Sequence, residues 1–379
     1  MLDLTTPEDT IEISDRADED RRIRLGGVDP SEARLVLGSA IASFCATWLV
    51  YERLTPLSGA VGFTIAWWVV FVAITWFVAR ERHGAVGARD QLARVVIWSC
   101  GVLVMIPLIS VIGAVAARGY HALSLHFLTQ DQSFVGPLTP ANVGGASHAI
   151  VGTLEQVGIA TLVSVPLGFG VAVFLNEVGG RLARPVRTLV DAMSALPSIV
   201  AGLFIYTSLI QSGYVKASGL AAALALTVLM LPTITRTAEV VLRLVPSGLR
   251  EASLALGATE WSTTRKVVLP TARSGLTTAI ILGIGRVVGE TAPVLLTAFG
   301  NATFNANPVN GPQSSLPLYV YQLFKQQVTA AVTQRMWTGA LVLVLLVLVL
   351  FVLARVLGGR GTGHVSRIKR LRLARRGLA

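Results

Sequence analysis

Two charged residues stand inside an apolar stretch. Arg286 and Glu290 lie within residues 273–298, which are otherwise almost wholly hydrophobic or small. If that stretch crosses a bilayer, Arg286 is about twelve residues in, or roughly 18 Å at 1.5 Å per residue. A charge at that depth costs several kcal/mol unless it is paired or faces water. A guanidinium offers a fork of donors matched to phosphate or sulfate oxygens. Glu290, four residues on, shares the helix face of Arg286 if the helix is continuous. Two readings follow: a pair that satisfies itself, or an anion path that Arg286 attracts and Glu290 tunes. Pro197, followed by Ser198, interrupts a second apolar stretch, 187–212. A proline there either kinks a helix or frees backbone groups to line a watery path. Arg236, near the end of the stretch 218–240, either guards an exit or snorkels to the interface.

Other chemistry is missing. The four lysines are Lys216, Lys266, Lys325 and Lys369, and none follows a glycine, so there is no Walker A loop. The histidines form no metal-ligand spacing with their neighbours and read as solvated loop residues. No nucleophile and base stand together, so no catalytic residue is assigned and a membrane-embedded enzyme lacks its working parts.

The elements that must position these residues follow from composition. Hydrophobic residues make up 53% of the chain and charged ones 14%, with a mean hydropathy of +0.65. A soluble globular chain of this length is not so apolar. Several runs reach the roughly 20 residues that a bilayer core requires, and they are continuous, unlike barrel strands. The class is all-α and polytopic. Eight spans are expected, near 34–51, 57–79, 94–117, 148–175, 187–212, 218–240, 273–298 and 336–357. With the N-terminus inside, 26 lysines and arginines fall in cytoplasmic parts and five outside. The positive-inside rule therefore favours eight spans and both termini in the cytoplasm. The net charge of +11 then reflects loop orientation, and no nucleic-acid partner is implied. Cys45 and Cys100 lie in apolar runs and read as small packing residues.

The flanks are polar. Residues 1–33 hold ten of the 21 acidic residues and read as a mobile cytoplasmic tail without a cleavable signal. Residues 359–379 form a basic tail, whose run Arg367 to Arg376 suits anionic membrane lipid. The outer segments 118–147 and 299–335 carry few basic residues.

Between the sixth and seventh spans lies a polar loop, residues 247–270. Ser247 is placed to cap a short helix, Gly257 to stop it, and Thr259 to cap a second short helix ending near Pro270. Such a pair is either a support for the spans or a knob offered to a partner. Its spacing reads Glu251-Ala252-Ser253, three residues, Gly257, nine residues, then Val267-Val268-Leu269-Pro270. This resembles the EAA loop of ABC importer permeases, with Ser253 and Val267 as small departures. The resemblance implies a coupling helix that docks on a separate ATPase, with Glu251, Ala252, Gly257, Leu269 and Pro270 as its marks.

Residues 285–293, GRVVGETAP, resemble the RAVGETAPLL signature of PstA-type permease subunits of phosphate ABC importers. Residues 196–202, LPSIVAG, resemble that family's proline-broken segment, and residues 145–154 resemble the start of its core. The match covers about 94–358. It implies a six-helix type I ABC importer permease core with two extra N-terminal helices in 34–93. It also implies that Arg286, Glu290, Arg236, Pro197 and Ser198 line a substrate path for inorganic phosphate. The chain itself would bind no cofactor, and ATP with Mg would be held by a homodimeric ATP-binding subunit. A homologous PstC-type second permease and an extracytoplasmic phosphate-binding protein complete the implied assembly in a bacterial plasma membrane. Permeases for sulfate, molybdate or phosphonate are the alternative within transport. A membrane scaffold or sensor is the alternative outside it.

Overall fold

The computed structural model describes residues 30–56, 59–326 and 328–358. The tail 359–379 and nearly all of the tail 1–33 lie outside these residues. Among the described residues the fold is helical, with one isolated β-bridge between Phe299 and Gln313. Thirteen α-helices are numbered here in chain order. The chain divides into two compact units at Ser110/Val111.

The first unit contains α1 (Pro30–Trp48), which runs on through a wider turn at Leu49–Leu54, and most of α2 (Ala60–Gly119). The indole Nε1 of Trp67 donates to Ser43 Oγ at 3.0 Å. Phe44 meets Phe63 and Trp67 edge-on at 5.7 and 5.9 Å, a geometry that aromatic quadrupoles favour. Two antiparallel helical segments are thereby zipped together. The expected spans 57–79 and 94–117 lie on two helices that run together across a kink in the charged segment between them. That segment, 80–94, holds four Arg and three Ala, which are good helix formers, and two Gly, which are not. Arg94 and Asp90 support it with an i,i+4 ion pair of 3.1 Å. Gly84, at φ 72°, is the point where the run leaves helical geometry. Cys45 and Cys100 are exposed and free rather than packed.

The second unit is built on α7 (Gly219–Arg243). It is the most buried long helix, with Leu226, Leu229, Met230 and Ile234 at 1% exposure or less. Around it pack α4 (Ser147–Val173), α5 (Ala183–Ser194), α6 (Ser198–Ile205), α10 (Leu269–Val287) and α11 (Ala292–Thr297). The run Ala221-Ala222-Ala223 lets neighbouring backbones approach closely. In a membrane, where burial itself supplies little drive, such packing is the main attraction between helices. The remaining helices are α3 (Leu125–Thr129), α8 (Ser247–Ala255), α9 (Glu260–Thr263), α12 (Leu316–Lys325) and α13 (Ala330–Leu357).

Among the described residues six helical segments are long and apolar enough to span a membrane, or seven if the bent pair α5 and α6 counts as one crossing. The expected count of eight is not confirmed: α2 is counted once here, although its 60 residues are two helices that meet at a kink. The outer segments are tied together. Asp131 Oδ2 accepts from Phe304 N at 3.0 Å, and Gln132 N donates to Ala302 O at 3.0 Å. His148 is not a solvated loop residue: it is 2% exposed at the start of α4, edge-on to Tyr319 at 5.5 Å.

Candidate functional site

The expected seventh span is broken at the residues that carry its charge. Helix α10 ends at Val287, a turn follows in which Glu290 N donates to Val287 O at 3.1 Å, and α11 starts at Ala292. Pro293 explains the break. It has no amide hydrogen and its ring crowds the carbonyl four residues back, so it interrupts a continuous helix but is tolerated in the first turn of a new one, where it stands in α11. Glu290 therefore lies outside the helix of Arg286, and the shared i+4 face expected from the sequence does not form. Arg286 occupies the last turn of α10, where helix carbonyls favour a cation. Arg286 is exposed and Glu290 half-buried. Among the described residues neither side chain makes an ion pair or hydrogen bond, so the self-satisfied pair is absent.

The second proline break packs against the first. Helices α5 and α6 meet at 104°, and Pro197 holds an extended backbone at φ −58°, ψ 140°. Ser198 is the half-buried first residue of α6. A Cβ on Gly202 would lie 2.6 Å from the Pro293 Cα, so only glycine permits this approach of α6 to α11. Ala201, Val287 and Val294 seal the contact in one apolar cluster. The two segments that carry the family resemblance are thus neighbours. No hydrogen bond joins Ser198 to Arg286 or Glu290.

Arg236 has a different fate. It neither snorkels nor stands free: its Nη1 donates to Glu239 Oε2 at 2.7 Å and its Nη2 binds Asp191. Glu239 also accepts from Arg187 at 3.0 Å and from Arg243 at 2.5 Å. The Glu239 side chain is only 3% exposed. One buried carboxylate thus gathers three guanidinia and ties α5 to the end of α7. Sequence reasoning missed Glu239, Arg187 and Asp191. Part of the signal was present, because Arg236, Glu239 and Arg243 are spaced i, i+3, i+7 on one face. The rest was not, since Arg187 and Asp191 come from another helix.

The loop 247–270 forms a knob, with two corrections. The residue flanking α8 is Pro246, without a side-chain cap, and Ser247 is the first helical residue. Gly257 ends this helix as expected, at φ 82°, where a side chain would be strained. Thr259 caps α9 by accepting from Ser262 N at 3.2 Å. That helix does not stop near Pro270. A wide turn at Thr264–Val268 leads straight into α10, with Leu269 and Pro270 in its first turn. Proline cannot donate backwards, and the widened turn before it absorbs the missing bond. The departure Ser253 has a use, since its hydroxyl meets Thr263 Oγ1 at 2.8 Å and joins α8 to α9.

Arg250 holds the knob to the spans. It donates to Val245 O at 2.7 Å and Leu242 O at 3.0 Å at the end of α7, and to Glu177 Oε1 at 2.9 Å and Oε2 at 3.2 Å. Glu251, Ala252, Gly257 and Pro270 are exposed, and Leu269 is half-buried. Leu254, Leu256 and Trp261 stand 45%, 89% and 67% exposed beside them. An apolar patch of this kind on a small knob suits a partner surface.

Residues 164–360 match the family model described as binding-protein-dependent transport system inner membrane component. The chain is 40% identical over 260 residues to the phosphate transport system permease protein PstA 1 of Mycobacterium tuberculosis (strain CDC 1551 / Oshkosh). That alignment covers 68% of this chain and 85% of the relative. It is 35% identical over 241 residues to the PstA protein of Pasteurella multocida, covering 63% of this chain and 83% of that one. A chain of the inward-facing MetNI methionine ABC transporter is similar at 28% identity over 55% of this chain and 93% of its own. The TM-score there is 0.43, too loose to place an element. The chain is a multi-pass inner-membrane transport subunit rather than an enzyme, and it belongs to the binding-protein-dependent transport system inner membrane component family, among relatives named as PstA permeases.

Proposed function

We propose that this chain is a permease subunit of an ATP-driven importer that moves inorganic phosphate into the cytoplasm. The observation that carries the reading is Arg286, an unpaired guanidinium at a helix break in a membrane-spanning segment. Such a charge needs water, an anion or a second chain beside it. Its exposure on the lone chain supports a reading in which a homologous PstC-type permease faces it, with the path between the two. The relatives named above are phosphate transport proteins, and this selects phosphate among the tetrahedral anions.

In this reading the termini and the knob 247–270 are cytoplasmic, in line with the excess of lysine and arginine there. An extracytoplasmic binding protein delivers phosphate to the outer segments 118–147 and 299–335. A homodimeric ATP-binding subunit, which carries the ATP and Mg, receives the exposed patch of α8 around Glu251 and Gly257. Its closure pushes on the knob, and the breaks at Pro197 and Pro293 let the spans yield. This chain binds no cofactor of its own. Pro197 and Ser198 lie along the path, while Arg236 shapes the cytoplasmic end through Glu239. The basic run in 359–379 rests on anionic lipid.

The test is phosphate uptake in cells lacking their own permease, comparing wild type with Arg286→Gln at matched membrane abundance. Loss of uptake supports the path through Arg286, and normal uptake removes it. Competition with sulfate tests the anion: if sulfate displaces labelled phosphate at equal concentration, another oxyanion is the substrate.

A further inference from the structure

One cavity of the second unit lies beside the helix break without being part of the charged site. It has a volume of about 590 Å³, within the usual range for small-molecule sites. Gly289 and Thr291 line it beside the break, together with Tyr321, Phe324, Leu343 and Trp337. No carboxylate lines it.

Two cations stand at its rim, each over a lining ring. The Arg118 guanidinium lies 4.9 Å from the Trp337 ring centre, and the Lys325 ammonium 5.6 Å from that of Tyr321. Among the described residues neither cation has a carboxylate partner. Arg118 is held in place from below. A Cβ on Gly119 would lie 2.6 Å from Trp337 O, and Thr338 Oγ1 donates to Gly119 O at 2.8 Å. The end of α2 is thereby pinned against α13. Arg118 is in the last turn of that apolar run. That is the level where a membrane helix reaches the headgroups and where Trp and Tyr rings collect.

The arrangement combines two cations at headgroup depth, an aromatic belt and a dry slot running inward to a break in the membrane. We propose that this cavity is a binding site for one anionic phospholipid. The headgroup phosphate lies between Arg118 and Lys325, and an acyl chain fills the slot as far as Gly289 and Thr291. The occupant then touches Gly289 and Thr291, the two neighbours of Glu290. The site is distinct from the substrate path and from the basic C-terminal run.

The experiment purifies the full-length chain from membranes and exposes it to equal amounts of phosphatidylglycerol and phosphatidylcholine. Retained lipid is counted by native mass spectrometry. Wild type is expected to retain phosphatidylglycerol preferentially. Arg118→Gln and Lys325→Gln should each lower that preference roughly fivefold, the value of one basic residue at an anionic surface. Excess inorganic phosphate should leave the preference unchanged, since the acyl chain anchors the lipid. Ala340→Trp, or Ala340→Leu if the first variant does not fold, should reduce retention of both lipids by filling the slot. The proposal is overturned if both Gln variants keep the wild-type preference. It is equally overturned if a filled slot retains as much lipid, or if Phe324→Cys cross-links to another subunit instead. Because the readout is lipid retention, the result stands apart from any result for phosphate uptake.

Discussion

Around Glu239 three guanidinia share a carboxylate; among the described residues neither Arg286 nor Glu290 has a charged partner. Glu239 lies on α7 and Arg286 on α10, both within segments long and apolar enough to span a membrane. The first is complete without help. Its arginines are partly exposed, its carboxylate is buried, and together they fasten α5 to α7. The second is incomplete in the lone chain, and it lies where two prolines have broken two helices against each other. A charge that is satisfied locally holds structure. One left open at a break is available to a ligand or a second subunit. The rest of the molecule allows that contrast to be tested.

The largest effect is expected at the open site. Arg286→Gln should lower phosphate uptake about 30-fold or more, because removing one member of a desolvated charged contact costs about 2–5 kcal/mol. Arg286→Lys should recover part of it, since an ammonium keeps the charge but not the fork. Melting of the purified chain should barely move in either case, and a fall of many degrees would make Arg286 structural and end the contrast. Next comes Glu239→Gln. Breaking a buried pair costs about 3–5 kcal/mol, and the exposure of the three arginines reduces this to about 2 kcal/mol. The expected sign is a lower melting temperature in detergent, with uptake falling only as far as abundance does. A double variant with Arg236→Gln should recover stability relative to Glu239→Gln, and no recovery would mean the two are not coupled.

A smaller loss is expected at the knob. Gly257→Val puts a branched side chain at φ 82° and costs about 1–3 kcal/mol of local strain. It should uncouple ATP hydrolysis from uptake while the protein still inserts, as measured by the ratio of the two rates. The smallest effect is outside the membrane. Asp131 is held below the ordinary carboxylate range, first by the Ser133 hydroxyl and then by the backbone amides of Ser133 and Phe304. Its tie between the outer segments is therefore fully present above the ordinary carboxylate value and is lost as the pH falls through the lowered one. Asp131→Asn should mimic the acid state at neutral pH and increase hydrogen exchange in 299–311. Unchanged exchange there would remove the tie.

The parts legible in the sequence were local. Glu251 to Pro270 could be read because cap, stop and spacing sit within twenty-odd residues, and Pro197 because proline breaks a helix wherever it falls. The break at Val288 was missed although Gly289 and Pro293 were in view, since an apolar run outweighs two breakers when hydropathy alone is read. The charged segment 80–94 marked a boundary that the structure keeps as a kink: helix formers carry the backbone up to it on both sides, and Gly84 breaks it. The hub at Glu239 could not be assembled, because Arg187 and Asp191 come to it from α5, about fifty residues upstream. His148 looked solvated by position and is buried because Tyr319, far along the chain, covers it.

The four hydrogen bonds of Arg250 have a mechanical meaning. They clamp α8 to the last carbonyls of α7 and to Glu177 at once. A joint fixed at both ends has no backlash. Under the proposed coupling, a displacement of the knob would reach α7 with little slack.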